Sequence, residues 1–148
     1  MTLKELKSGI VTLIKSEFPK IKIYSIAVVE NYKRPSFFMQ LKPNIMEPAN
    51  YNSRQNQATL YIDYFQKVID EGDMLDVIER LRDLFGLSIT IGSRAIDVTG
   101  FNYDFIGTDR NIPEISIDLE WFDRIDHPVT EPLMETMALN EDIGGIIK

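Results

Sequence analysis

Between Leu3 and Ile14 the apolar residues Leu3, Leu6, Ile10, Leu13 and Ile14 recur every third or fourth position, the spacing of one helix face. Lys4, Lys7, Lys15 and Glu17 fall on the polar side. Thr2 and Glu5 stand at capping-box spacing, where each side chain can satisfy a free backbone N–H at the helix start. Pro19, just after Phe18, ends the run.

The period then changes from helical to two. Ile21 and Ile23 alternate with Lys20 and Lys22 in a short strand. A turn-prone stretch from Glu30 to Pro35 leads into a second strand, with Phe37, Met39 and Leu41 on one face and Phe38, Gln40 and Lys42 on the other. Pro43 and Pro48 punctuate the chain beyond Lys42. The polar residues 49–57 merge into a third strand, in which Ala58, Leu60, Ile62 and Tyr64 oppose Thr59, Tyr61, Asp63 and Phe65. This arrangement predicts a long hairpin whose tip stands off the body.

A second helix carries the stripe Met74, Val77, Ile78, Leu81, Leu84 and Phe85, with Asp73 as the expected N-cap and Gly86 as the stop. Leu87–Ile91 and Ala95–Thr99 read as strands around a turn at Gly92, and Phe101, Tyr103 and Phe105 extend the alternation. The clearest strand is Ile115–Phe122, with Ile115, Ile117, Leu119 and Trp121 facing inward. The predicted fold is therefore α+β: a mainly antiparallel sheet with two helices packed on one face, the other face open to a neighbour. Residues 1–125 form a single domain in this reading. From Asp126 to Lys148 the chain changes character, interrupted by Pro128 and Pro132. Met134, Met137, Leu139, Ile143, Ile146 and Ile147 suit a C-terminal arm that orders on a neighbour, while a plain disordered tail fits the composition equally well.

Composition narrows the function. The 148 residues suit one domain, and 44% hydrophobic content supplies one core. The longest apolar run, Ile26 to Val29, is far too short for a membrane span, and no secretion signal is evident; synthesis and folding in the cytoplasm are expected. Without cysteine there are no disulfides and no thiolate sites, and the single His127 excludes any site needing two imidazoles from one chain. A net charge of −7 argues against grasping nucleic acid. It suits a surface past which DNA moves without sticking, although solubility alone accounts for it.

Catalytic patterns are weak. No Gly-rich phosphate loop is present, and Ser88, Ser93 and Ser116 lack a nucleophile-elbow context. Asp118 and Glu120, two apart on one strand, point to the same side, with Asp123 just beyond and Asp63 and Asp97 on other strands. Such a group would suit a Mg²⁺-dependent hydrolase. The plainer reading, an exposed face of an amphipathic strand, is preferred because no lysine or histidine stands at a paired spacing. No catalytic, cofactor-binding or metal residue is expected. Phe38, Tyr61, Phe65, Phe101, Tyr103, Phe105 and Phe122 include several off the expected core face, which points to a protein interface.

The segment Pro19-Lys20-Ile21-Lys22-Ile23-Tyr24, followed by Lys33-Arg34-Pro35-Ser36-Phe37-Phe38, resembles the phage tail terminator family, the tail-completion proteins of head–tail joining in long-tailed phages, prophages and phage tail-like particles. The likeness extends in element order over roughly residues 2–125. The chain departs from it at Asn50–Gln57, where family members often carry a basic stretch and only Arg54 is basic here. The resemblance implies an α+β subunit of a hexameric ring on the head-proximal end of the tail tube, with no catalysis and no cofactor. Implied partners are further copies of the chain (monomers in solution until they meet the tube), the tail tube protein, the sheath if the tail contracts, and the head connector. DNA would pass through the lumen without specific binding, and the protein, made in the bacterial host cytoplasm, would reside in the virion tail. Another tail or connector component is the alternative, and a hydrolase using Asp118, Glu120 and Asp123 a remote one. Interface candidates are Arg34, Pro35, Phe38, Tyr51, Arg54, Asn56, Phe65 and Phe122, with Phe37 serving the core.

Overall fold

The computed structural model describes residues 1–25 and 33–126. Residues 127–148 of the expected arm, among them His127, and the Ile26–Val29 run lie outside the described residues.

Helix α1, Leu3–Glu17, starts on the expected box. Thr2 Oγ1 accepts from the Glu5 backbone N–H at 3.1 Å, and the Glu5 carboxylate accepts from that of Thr2 at 2.9 Å. Leu6, Ile10 and Ile14 are buried, and Phe18 closes the helix and joins the core. The strands are β1 (Lys22–Ser25), β2 (Ser36–Pro48) and β3 (Ser53–Phe65), then β4 (Ser88–Ile91), β5 (Arg94–Ile106) and β6 (Ile112–Arg124) after helix α2 (Glu71–Phe85). They form one sheet in the order β1-β2-β3-β6-β5-β4. Only β1 and β2 run parallel; every other neighbouring pair is antiparallel. The fold is thus α+β, as the alternation of periods predicts.

Both helices bury their stripes against the same sheet face. Phe37, Met39, Ala58, Leu60, Ile62, Ile96, Ile115, Ile117, Leu119 and Trp121 meet Leu6, Ile10, Ile14, Val77, Leu81 and Phe85 in one core. Phe37 sits at its centre, with Phe18 edge-on at 5.2 Å and Tyr64 at 5.3 Å between ring centroids. Arg80 of α2 ties the end of α1 through two bonds to the Glu17 carboxylate, at 3.1 and 3.0 Å. Gly9 lets α1 approach β4 closely, since a Cβ there would lie 2.5 Å from Ile91 Cγ2.

Several expectations are corrected. The N-cap of α2 is Asp70, whose side chain accepts from the Gly72 N–H at 3.1 Å. Asp73 is inside the helix and accepts from Tyr64 Oη at 2.7 Å and Gln66 Nε2 at 2.8 Å. Burial and the Asp73 carboxylate both push the Tyr64 hydroxyl upward from its ordinary pKa. Residues 53–57, expected in a projecting tip, are strand: all pair with β6, and Arg54–Gln57 pair with β2 as well. The real turn is residues 49–52, where Asn50 Oδ1 accepts from the Asn52 and Ser53 N–H groups. Ile125 N–H donates to Asn52 O at 2.8 Å, so the turn rests beside the end of β6 instead of standing off the body. β2 also continues through Pro43, helped by a register shift between Pro43 and Ile45.

Candidate functional site

Period two sends alternate residues of each strand to the sheet face that the helices leave uncovered. Pairing register identifies which they are. Tyr24 pairs with Phe38, Phe38 with Asp63, Asp63 with Glu114, and Glu114 with Asp104, one row across five strands. The β1–β2 end of this row is aromatic. Phe38 lies 5.4 Å from Tyr24 and 5.0 Å, edge to face, from Phe65. The Arg34 guanidinium stands 5.3 Å from the Phe65 centroid, and its Nη1 donates to Gln66 O at 3.1 Å. Lys33 N–H donates to Tyr24 Oη at 3.0 Å, and the Arg34–Pro35 peptide bond is cis. Lys33 and Arg34 are thus held against this aromatic end, and the sequence-nominated Arg34, Phe38 and Phe65 meet with Tyr24 in one cluster, while Pro35 leads into β2 and its carbonyl accepts from the Lys22 N–H at 3.3 Å.

The centre of the open face is polar and internally bonded. Asp118 accepts from Thr59 Oγ1 at 2.8 Å, and Thr59 Oγ1 in turn accepts from Asn44 Nδ2 at 2.8 Å. Glu120 accepts from Gln55 and Gln57 at 2.8 and 2.9 Å, bonds that hold its carboxyl below the usual range. Asp123 has the opposite parity and turns to the helix side. There it meets Arg94 Nη2 at 2.7 Å, Asn56 Nδ2 at 3.0 Å and the Met1 amino group at 3.6 Å. A convergent Asp118–Glu120–Asp123 metal site is therefore contradicted by geometry: two carboxylates face one side of the sheet and the third faces the other. Among the described residues no group of three or more metal-ligating side chains is assembled.

The remaining candidates separate. Tyr51, 73% exposed, and the exposed Arg54 lie at the hairpin turn, with half-exposed Phe122 on the open face opposite Gln55. Turn and cluster sit at opposite ends of the β2–β3 hairpin, nine pairs apart from Phe38–Asp63 to Pro48–Arg54 or roughly 30 Å. Asn56 is not a surface contact; it is fully buried on the helix side, holding Asp123. Of the aromatics expected off the core, Phe101 and Phe105 pack against it, and exposed Tyr103 shares the helix-side face with Ile115. Sequence reasoning missed Tyr24 as a cluster member and Glu114 as the partner of Asp63. The first was legible as the immediate neighbour of Ile23, on the opposite face of the same strand; the second required the register.

Over residues 5–131 the chain matches the family described as phage tail terminator protein. None of the curated proteins matches it. A solved structure carrying no functional description aligns with a TM-score of 0.51 at 12% identity, covering 86% of this chain and 99% of that one. That likeness is one of fold alone. No helix among the described residues is long and apolar enough to cross a membrane.

Proposed function

The chain belongs to the phage tail terminator family, a family of structural proteins, and from that premise we propose that it closes the head-proximal end of a phage tail tube as a hexameric ring. The ring ends tube polymerisation and offers the head connector its docking surface. It performs no catalytic step, is made in the host cytoplasm, and lets DNA through its lumen without holding it. The same reading assigns the tube protein, and the sheath if the tail contracts, as neighbours.

One observation carries this reading. A ring needs heterologous contacts, in which each subunit presents two different surfaces to its two neighbours. The subunit has a helix-covered face and, opposite it, an open sheet face with the Tyr24–Phe38–Phe65 cluster at one end. Partly exposed aromatic surface beside a polar field is the composition of protein contacts. Arg34, Pro35, Phe38 and Phe65 are assigned to one contact, and Tyr51, Arg54 and Phe122 to another some distance along the hairpin.

The test is electron microscopy of tail tubes assembled with and without the purified protein. Sixfold rings at one tube end, with tubes of limited length, are expected. Decoration along tube sides, or no association under assembly conditions, would overturn the assignment.

A further inference from the structure

The charge of this acidic chain is unevenly placed. Residues 1–22 hold five lysines, Lys4, Lys7, Lys15, Lys20 and Lys22, against only Glu5 and Glu17. Both carboxylates are already engaged, Glu5 in the helix cap and Glu17 with Arg80. Among the described residues no carboxylate comes within salt-bridge distance of any of the five lysines. A shallow, open groove on the flank of α1 passes Lys4, Lys7, Ser8, Val11 and Thr12, with partly buried Val11 packing on the core. The α1 surface thus offers positive charge around an apolar strip.

The chain carries a segment of matching chemistry. Residues 127–148 contain Glu131, Glu135, Glu141 and Asp142 against one lysine, Lys148, interleaved with Leu133, Met134, Met137, Leu139 and Ile143. The point of departure fixes where this segment starts. Asp123, near the end of β6, lies 3.6 Å from the Met1 amino group, one turn before the groove begins. α1 is about 22 Å long at 1.5 Å per residue, whereas the segment extended would span about 70 Å. Tethered beside the groove, it competes there at a high effective concentration against any segment from solution.

We propose that the basic face of α1 is the docking site for the chain's own residues 127–148, which lie along it with carboxylates over Lys4, Lys7 and Lys15 and an apolar side chain on Val11. The segment covers the positive patch of an otherwise acidic subunit. This contact does not depend on ring formation, so it is tested on the full chain without tubes.

An equal mixture of ¹⁵N-labelled and unlabelled protein is treated with a carbodiimide, which joins amines to carboxylates in direct contact, and the linked peptides are weighed. Links from Glu131, Glu135, Glu141 or Asp142 to Lys4, Lys7 or Lys15 within molecules of one label are expected. Mixed-label pairs would assign the groove to a second copy, and links elsewhere or none at all would remove the site; each overturns the proposal. In parallel, cleavage after Glu135 and Glu141 by a glutamate-specific protease is followed. Lys4→Glu/Lys7→Glu is expected to be cut about tenfold faster, and Lys4→Arg/Lys7→Arg at the parent rate. A charge-reversed variant with unchanged helix content and unchanged cleavage would equally overturn it.

Discussion

Asp63 faces Glu114 directly across the β3–β6 ladder, placing two carboxyls at one register position of the open sheet face. Like charges so placed repel. Burial, then the hydrogen bond and the charge of Glu114, push the Asp63 carboxyl up to about 7 from 3.8. The folded chain therefore keeps a proton that the unfolded chain gives up. Folding takes up that proton between these two values, so this pair's contribution is most favourable below 3.8 and is lost as pH rises to about 7. Asp63→Asn should leave stability unchanged at pH 3.5. At pH 8 it should raise it by about 1 kcal/mol, a figure reduced for solvent screening of a half-exposed pair. Urea midpoints at the two pH values check this; a gain of equal size at both would contradict it.

Asp123 behaves in the opposite sense. Burial pushes its carboxyl up, but the Arg94 bond and the N-terminal charge outweigh it and hold it below the ordinary value. Its contribution is present above the usual aspartate range and is lost as pH falls through it. Asp123→Ala leaves the buried Asn56 amide and Arg94 without this acceptor. A loss of about 2 kcal/mol at pH 7 is expected in urea unfolding.

Gly9→Ala sets two effects against each other. Alanine favours a helix interior over glycine by about 1 kcal/mol. Here its methyl would meet Ile91 Cγ2 at 2.5 Å and Cδ1 at 2.8 Å. Contact near the branch of the side chain forces β4 to shift, so a net loss of about 1–2 kcal/mol is expected. Ile91→Ala in the same chain should restore most of it, because the two sites touch; thermal unfolding of the double-mutant cycle measures the coupling.

Phe122→Ser removes an apolar ring that is 50% exposed on the open face. Folding stability should move by no more than about 0.5 kcal/mol. Association with tube ends, measured by co-sedimentation, should fall several-fold if this part of the face meets a neighbour. Unaltered co-sedimentation would exclude Phe122 from the contact.

How much the sequence reveals depends on how local the cause is. The α1 cap is readable because Thr2 and Glu5 bond to each other's backbone within one turn. The inward sets of β3 and β6 are readable because alternation records which face meets the core. The strand at residues 53–57 is concealed because Gln55 and Gln57 are stabilised by Glu120, more than sixty residues away. Asp73 mimics a cap in sequence, yet Gln66 bonds Asp70 and places the helix start there, leaving Asp73 to Tyr64. The carboxylates of β6 form one group along the chain, but the step from Glu120 to Asp123 crosses the sheet. Of the interface candidates, Arg34, Phe38 and Phe65 lie together on the open face, while Asn56 is drawn inside by a partner the sequence could not supply.

The prolines of β2 bear on how the chain avoids strand-by-strand growth. β1 is only four residues long and pairs with Ser36–Met39, so among the described residues β2 has no strand on that side from Gln40 to Pro48. A bare strand margin invites an incoming chain to zip on, and the product is a fibre. Pro43 and Pro48 have no N–H to offer, and the register shift after Pro43 breaks the regular spacing that a newcomer would need. The margin is blunted at two points, and growth by strand addition stalls there. In the proposed ring, copies placed side by side are thereby kept from joining edge to edge.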